Sequence, residues 1–119
     1  MSYKIELPDI EMMFKLVDTI SDLTYERSML DLDIKFSESE IAKIATTNPD
    51  YFQGGKPPSM AYIDATWKVT GFNGELKEKR ARLAGISAKL EETKLKFQLY
   101  KEIIDLYRTQ SANERSQIV

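Results

Sequence analysis

The side chains that could do chemistry in this 119-residue chain are carboxylates, lysines, arginines and aromatics, because there is no Cys and no His. Without Cys there is no disulfide, thiolate nucleophile or iron–sulfur site. Without His the commonest general base and metal ligand is missing, which excludes Ser–His–Asp chemistry and ordinary zinc sites. Carboxylates stand together at Glu38/Glu40 and Glu91/Glu92. Neither pair has the i, i+3 or i, i+4 spacing that sets both groups on one helix face. A metal site inside a helix bundle would also want a Glu-x-x-His partner. These carboxylates read as solvated or salt-bridged. Gly54-Gly55-Lys56 is followed by Pro57-Pro58, so no helix N-terminus follows to cradle a phosphate. No enzyme activity, cofactor, metal or small-molecule substrate is expected.

Binding chemistry remains. In Tyr51-Phe52-Gln53-Gly54-Gly55-Lys56 two adjacent aromatics stand beside glycines and a lysine, a composition that can stack on unpaired bases. The alternative is that Tyr51 and Phe52 cap the hydrophobic end of a helical turn. Tyr62 and Trp67 either join the core or extend that aromatic patch. Lys43 and Lys56 are the cations nearest the loop. Arg80, Arg82, Lys89 and Lys94 lie along the later part of the chain as candidate phosphate contacts, or as partners for acidic side chains. Lys77, Lys79, Arg80 and Arg82 cluster in sequence, but 100° per residue spreads them around a helix. The net charge of −2 is low for a simple nucleic-acid binder, which is usually basic.

These residues must be held by helices. A helix-start signal, Pro8-Asp9, opens a first helix expected over 9–46. One heptad position takes Met13, Ile20, Arg27, Ile34 and Ile41, and its partner takes Leu16, Leu23, Leu30, Ser37 and Ile44. Eight of these ten are apolar, which makes a coiled-coil seam, with Arg27 as a register or oligomer-state determinant. Tyr25, Met29, Leu32 and Phe36 form a second apolar stripe, so this helix needs more than one neighbour. The turn dipeptides Asn48-Pro49, Gly54-Gly55 and Pro57-Pro58 break the pattern over 47–58.

Ser59 is a candidate N-cap for a second helical segment over 59–110. Its seam takes Tyr62, Val69, Leu76, Leu83, Leu90, Phe97 and Ile104, with Ala65, Phe72, Lys79, Ile86, Thr93, Tyr100 and Tyr107 as partners. The phase carries through Gly71-Phe72-Asn73-Gly74, where a kink or a turn is expected. Residues 111–119 lose the pattern and are expected to fray. Residues 1–8 read as an arm in which Tyr3, Ile5 and Leu7 alternate with Lys4 and Glu6, a strand period. This arm is either an extended tail or a strand added to another subunit.

The expected architecture is a single all-α domain, an elongated antiparallel helical hairpin or coiled coil that self-associates. From Leu95 a second stripe, Leu95, Leu99, Ile103 and Leu106, joins Phe97, Tyr100, Ile104 and Tyr107. That segment is apolar over most of its circumference and belongs in the middle of a bundle, so these eight residues are the candidate oligomer interface. A three-helix monomer folded at Gly71/Gly74 is the rival. Residues 1–46 carry five basic and ten acidic side chains, and residues 75–119 carry ten basic and seven acidic. That split favours pairing the first helix with the second. No apolar run approaches the roughly 18 residues of a membrane span, and no signal-peptide core opens the chain, so a cytoplasmic protein is expected.

The order of parts resembles UvsY-type phage recombination mediators: a first helix, then Asp50-Tyr51-Phe52-Gln53-Gly54, then Met60 opening a longer helical segment. The layout is shared over about residues 25 to 110. The resemblance implies a small helical protein that assembles into rings, binds single-stranded DNA and helps load a recombinase in DNA recombination in the infected host cell. In that family basic residues immediately precede the aromatic pair. Here those positions hold Thr46, Thr47 and Asn48. Two functions follow as alternatives: a non-catalytic oligomeric assembly factor on single-stranded DNA, or a coiled-coil protein-binding module, such as a subunit of a larger complex or a small inhibitor, with no nucleic-acid role.

Overall fold

The computed structural model describes residues 7–117. Among them the chain is all-α, in the order α1 (Ile10–Thr47), a short 3-10 turn (Pro49–Tyr51), α2 (Met60–Ala65), α3 (Trp67–Thr70) and α4 (Glu75–Gln117). No described helix is long and apolar enough to cross a membrane. Apart from Leu7 and Pro8, the arm lies outside the described residues.

α1 runs unbroken because no Gly or Pro falls between Ile10 and Thr47. The Asp9 carboxylate accepts the Glu11 N–H at its start, and Asn48-Pro49 ends it. Asn48 caps the 3-10 turn by accepting the Asp50 N–H at 3.0 Å. Gln53 and Lys56 then exchange backbone hydrogen bonds, Gln53 N–H to Lys56 O at 2.9 Å and the reverse at 3.1 Å. Both central residues, Gly54 and Gly55, have positive φ. That is the two-residue turn that glycines permit without steric cost. Ser59 caps α2 by accepting the Tyr62 N–H at 3.2 Å, as its position after Pro58 leads one to expect.

The chain forms two compact units. In the unit Tyr25–Ser87, Leu30, Ile34, Ile41 and Ala45 of α1 meet Ile63 of α2 and Leu76 of α4, with Trp67, Phe72, Leu83 and Ile86 packed against them. α1 and α4 lie together here as a hairpin: Lys79 reaches Asp33 at 3.0 Å and Ser37 at 3.1 Å, and Arg80 pairs with Glu38. In the other unit, Met1–Thr24 with Ala88–Val119, the buried side chains among the described residues are Leu23, Leu90 and Thr93.

Three sequence expectations change. The α1 seam holds as far as Ile41, but Ala45 is then buried while Ile44 is 36% exposed. A straight helix drifts about 20° per heptad against a strict seven-residue repeat, so by the fifth heptad the inward position has moved one residue on. The second seam does not carry through Gly71–Gly74. Tyr62 and Val69 are exposed, and Ile63 and Trp67 take the inward places. The cause is a turn: Gly71 and Gly74 both have positive φ, and α2, α3 and α4 are separate helices. α4 continues past the expected end at 110 to Gln117. Losing the apolar pattern ends burial, but no Gly or Pro is present there to end the helix.

Candidate functional site

The turn residues are organised by an aromatic cluster. Tyr51 stacks on Phe72, with ring centroids 4.4 Å apart and planes 24° apart. Its ring also meets Trp67 edge-on at 5.2 Å. Tyr62 meets Trp67 at 5.4 Å and 87°, and Trp67 lies 5.6 Å from Phe72. Edge-to-face and offset stacking are the favourable arrangements for these rings. Tyr51 is therefore half-buried as the capping element of the hairpin end, and Phe52 beside it is half-buried too. Phe72 could not be placed in this cluster from its heptad position. The usable signal was its neighbour Gly71, whose turn swings Phe72 back towards the 3-10 turn.

The loop that holds Phe72 is fixed by one carboxylate. Glu75, at the first turn of α4, accepts the Phe72 N–H at 3.2 Å and the Asn73 N–H at 2.8 Å. Its own N–H and that of Asn73 hold its carboxyl below the ordinary glutamate range; slight burial opposes this, and the Phe72 N–H and nearby Lys79 add to it. Gly71 must be glycine on two counts. Its φ is +80°, and a Cβ there would overlap the Glu75 carboxylate.

The candidate cations divide by what they meet. Arg80 is engaged with Glu38 and also donates to the Lys68 carbonyl at 2.8 Å. Lys94 lies 3.8 Å from Glu91 on the same helix. Arg82 borders a shallow depression with Tyr25, Glu26, Met29, Leu30 and Asp33, without an ion pair among the described residues. Lys43 and Lys56 are exposed in the Tyr25–Ser87 unit, and Lys89 is exposed in the other unit. None of these three is in an ion pair among the described residues. The acids of α1 meet cations the sequence did not single out for structure: Asp33 meets Lys79, and Asp31 meets Lys35 at 3.0 Å. Among the described residues no three His, Cys, Asp or Glu converge to hold a metal.

The apolar stripes are the other surface. On α1, Tyr25, Met29, Leu32 and Phe36 are all exposed, Tyr25 at 67%. On α4, Leu95 is 69% exposed, Leu99, Leu106 and Tyr107 are also exposed, and Phe97, Tyr100, Ile103 and Ile104 are half-buried. Lys101 reaches over the Phe97 ring, 5.9 Å from its centroid. Compared with protein-family models, curated proteins and solved structures, the chain matches none.

Proposed function

We propose that this chain is a non-catalytic, self-associating assembly factor that acts on single-stranded DNA, of recombination-mediator type. The observation that carries the DNA reading is the set of cations left without an acid. Asp33 and Glu38 meet Lys79 and Arg80, whereas Lys43 and Lys56 near the turn stay exposed and unpaired among the described residues. Unpaired lysines are what phosphate recognition uses, and copies of them repeated in an assembly would place several local cations along one strand although each copy carries a net charge of −2. Self-association is supported by the exposure of Leu95, Leu99 and Leu106, since contiguous apolar faces of this kind mark interaction sites.

The test is fluorescence anisotropy of a labelled single-stranded oligonucleotide at low and physiological salt, with a duplex control. Salt-sensitive, single-strand-preferring binding is expected, weakened by Lys43→Ala with Lys56→Ala. No binding at low salt would move the function to the second reading, a coiled-coil module for a protein partner. The Tyr25–Phe36 stripe favours that reading, because no described residue covers it.

A further inference from the structure

We propose that Asn73-Gly74 is a site of spontaneous covalent modification, at which the Asn73 amide is converted to aspartate and isoaspartate and the hairpin end loosens as the chain ages. The juxtaposition that carries it is an exposed asparagine followed by a glycine N–H that donates to no acceptor among the described residues.

The reaction needs a side-chain amide carbon and a free main-chain nitrogen one residue on. Asn73 is exposed, and its side-chain amide makes no hydrogen bond among the described residues. The loop 71–74 lies between α3 and α4, so the Gly74 N–H belongs to neither helical ladder. Glu75 takes the Phe72 N–H at 3.2 Å and the Asn73 N–H at 2.8 Å, and the Gly74 N–H is left over. Gly74 has no Cβ to shield its nitrogen, and its φ of +80° is one that glycine adopts readily. The other two asparagines lack these conditions. Asn48 precedes Pro49, which has no N–H to give up, and its side-chain oxygen already accepts the Asp50 N–H. Asn113 lies inside α4, where the following N–H is part of the helix ladder.

The step balances with water as the only co-reactant. Hydroxide takes the Gly74 N–H proton, and the nitrogen attacks Cγ of Asn73. The Cγ–Nδ2 bond breaks, and Nδ2 leaves as ammonia with a proton from water. Water then opens the five-membered imide. Opening at the new Cγ–N bond gives aspartate on the original main chain. Opening at the original peptide bond gives isoaspartate, whose main chain runs through Cβ and Cγ and is longer by one C–C bond, about 1.5 Å. Overall the chain takes up one water and releases one ammonia.

The consequence follows from what the loop holds. The Glu75 carboxylate packs against Gly71 so closely that a Cβ there would overlap it. It has little room to follow N–H groups displaced by a longer main chain. Phe72, held by that carboxylate, stacks on Tyr51 and lies against Trp67. Isoaspartate therefore undoes the clamp between the two ends of the hairpin turn. Aspartate keeps the main-chain length. Its carboxylate gains from the N-terminal end of α4 and loses from Glu75 two residues on, so the charge alone changes little.

The test incubates the full chain and Asn73→Ser in mildly alkaline buffer at physiological temperature, with parallel samples in urea. Peptide mass spectrometry reads the amide-to-acid mass gain at each asparagine. An isoaspartyl methyltransferase with a labelled methyl donor reads isoaspartate. In the folded chain Asn73 is expected to convert at least about tenfold faster than Asn113, a barrier difference of about 1.4 kcal/mol. Methyl label is expected in the wild type and absent from Asn73→Ser. The isoaspartate fraction, separated by ion exchange, is expected to unfold at lower urea by Trp67 fluorescence, whereas Asn73→Asp unfolds near the wild-type midpoint. An Asn73 amide that persists in the folded chain, or is lost only in urea, overturns the site. An isoaspartate fraction with the wild-type midpoint overturns the loosening, and an Asn73→Asp midpoint as low as that fraction's overturns main-chain lengthening as its cause.

Discussion

The ring of Tyr51 lies on the ring of Phe72, 4.4 Å from centroid to centroid, so the 3-10 turn after α1 is clamped to the loop that leads into α4. Tyr51 is a structural residue of the hairpin end. Replacing it with Ala removes the Phe72 and Trp67 contacts, each worth about 0.5–1.5 kcal/mol beyond area burial. Tyr51→Ala is expected to destabilise the fold by about 2–3 kcal/mol in urea unfolding followed by Trp67 fluorescence. If the variant unfolds with the wild-type midpoint but loses oligonucleotide binding, the ring serves bases instead.

Glu75 makes the same loop acid-sensitive. Its carboxyl sits below its ordinary value in the folded chain because backbone N–H groups favour the ionised form. The group therefore contributes its full stabilisation above the unfolded glutamate range. That stabilisation is lost as pH falls through the lower folded value. Glu75→Gln should remove this part of the acid dependence and leave the neutral-to-basic profile parallel to wild type. Urea midpoints measured across pH 2 to 7 check it; an unchanged acid slope in the variant would refute the assignment. Gly71→Ala should cost more than about 1 kcal/mol at every pH, since it combines positive φ with overlap of the same carboxylate.

The two long helices were legible because their signals are long and redundant. α1 has no internal breaker, and Leu30, Ile34 and Ile41 fall where the heptad puts them. Ser59 was legible as a cap because Pro58 precedes it and the helical pattern follows. What failed was carrying one period across a turn. Nothing in the spacing of Tyr62, Val69 and Leu76 distinguishes a kinked helix from three helices; only the backbone at Gly71 and Gly74 does. The cations were legible as a set but not in their pairing. Lys79 and Arg80 meet acids 46 and 42 positions away in the chain, and that depends on where the turn places α4 along α1.

Arg80 and the lysines near the turn should separate stability from binding. Arg80 is engaged by Glu38 and the Lys68 carbonyl, so Arg80→Ala is expected to cost about 1 kcal/mol of stability and to leave oligonucleotide affinity nearly unchanged. Lys43→Ala with Lys56→Ala should do the reverse. Removing two phosphate contacts should lower the slope of log affinity against log salt by about 1.4 for a single strand. Equal loss of affinity in both proteins would mean that Arg80 leaves its acid to meet DNA.

Ile63 and Tyr62 test the register at the hairpin end directly. Ile63 is fully buried against Leu76 and the α1 core, whereas Tyr62 is exposed and meets Trp67 edge-on. Ile63→Ala is expected to cost about 2–4 kcal/mol, through lost transfer energy and the cavity left behind, and Tyr62→Ala about 1 kcal/mol or less. The opposite order would restore the continuous seam through Val69. Gly85 gives a gain on the same scale. It sits inside α4 with open space where a Cβ would go, so Gly85→Ala removes a helix-interior glycine at no steric cost. It should raise stability by about 0.5–1 kcal/mol. A loss of stability there would mean that a neighbouring copy packs closely against this turn of α4.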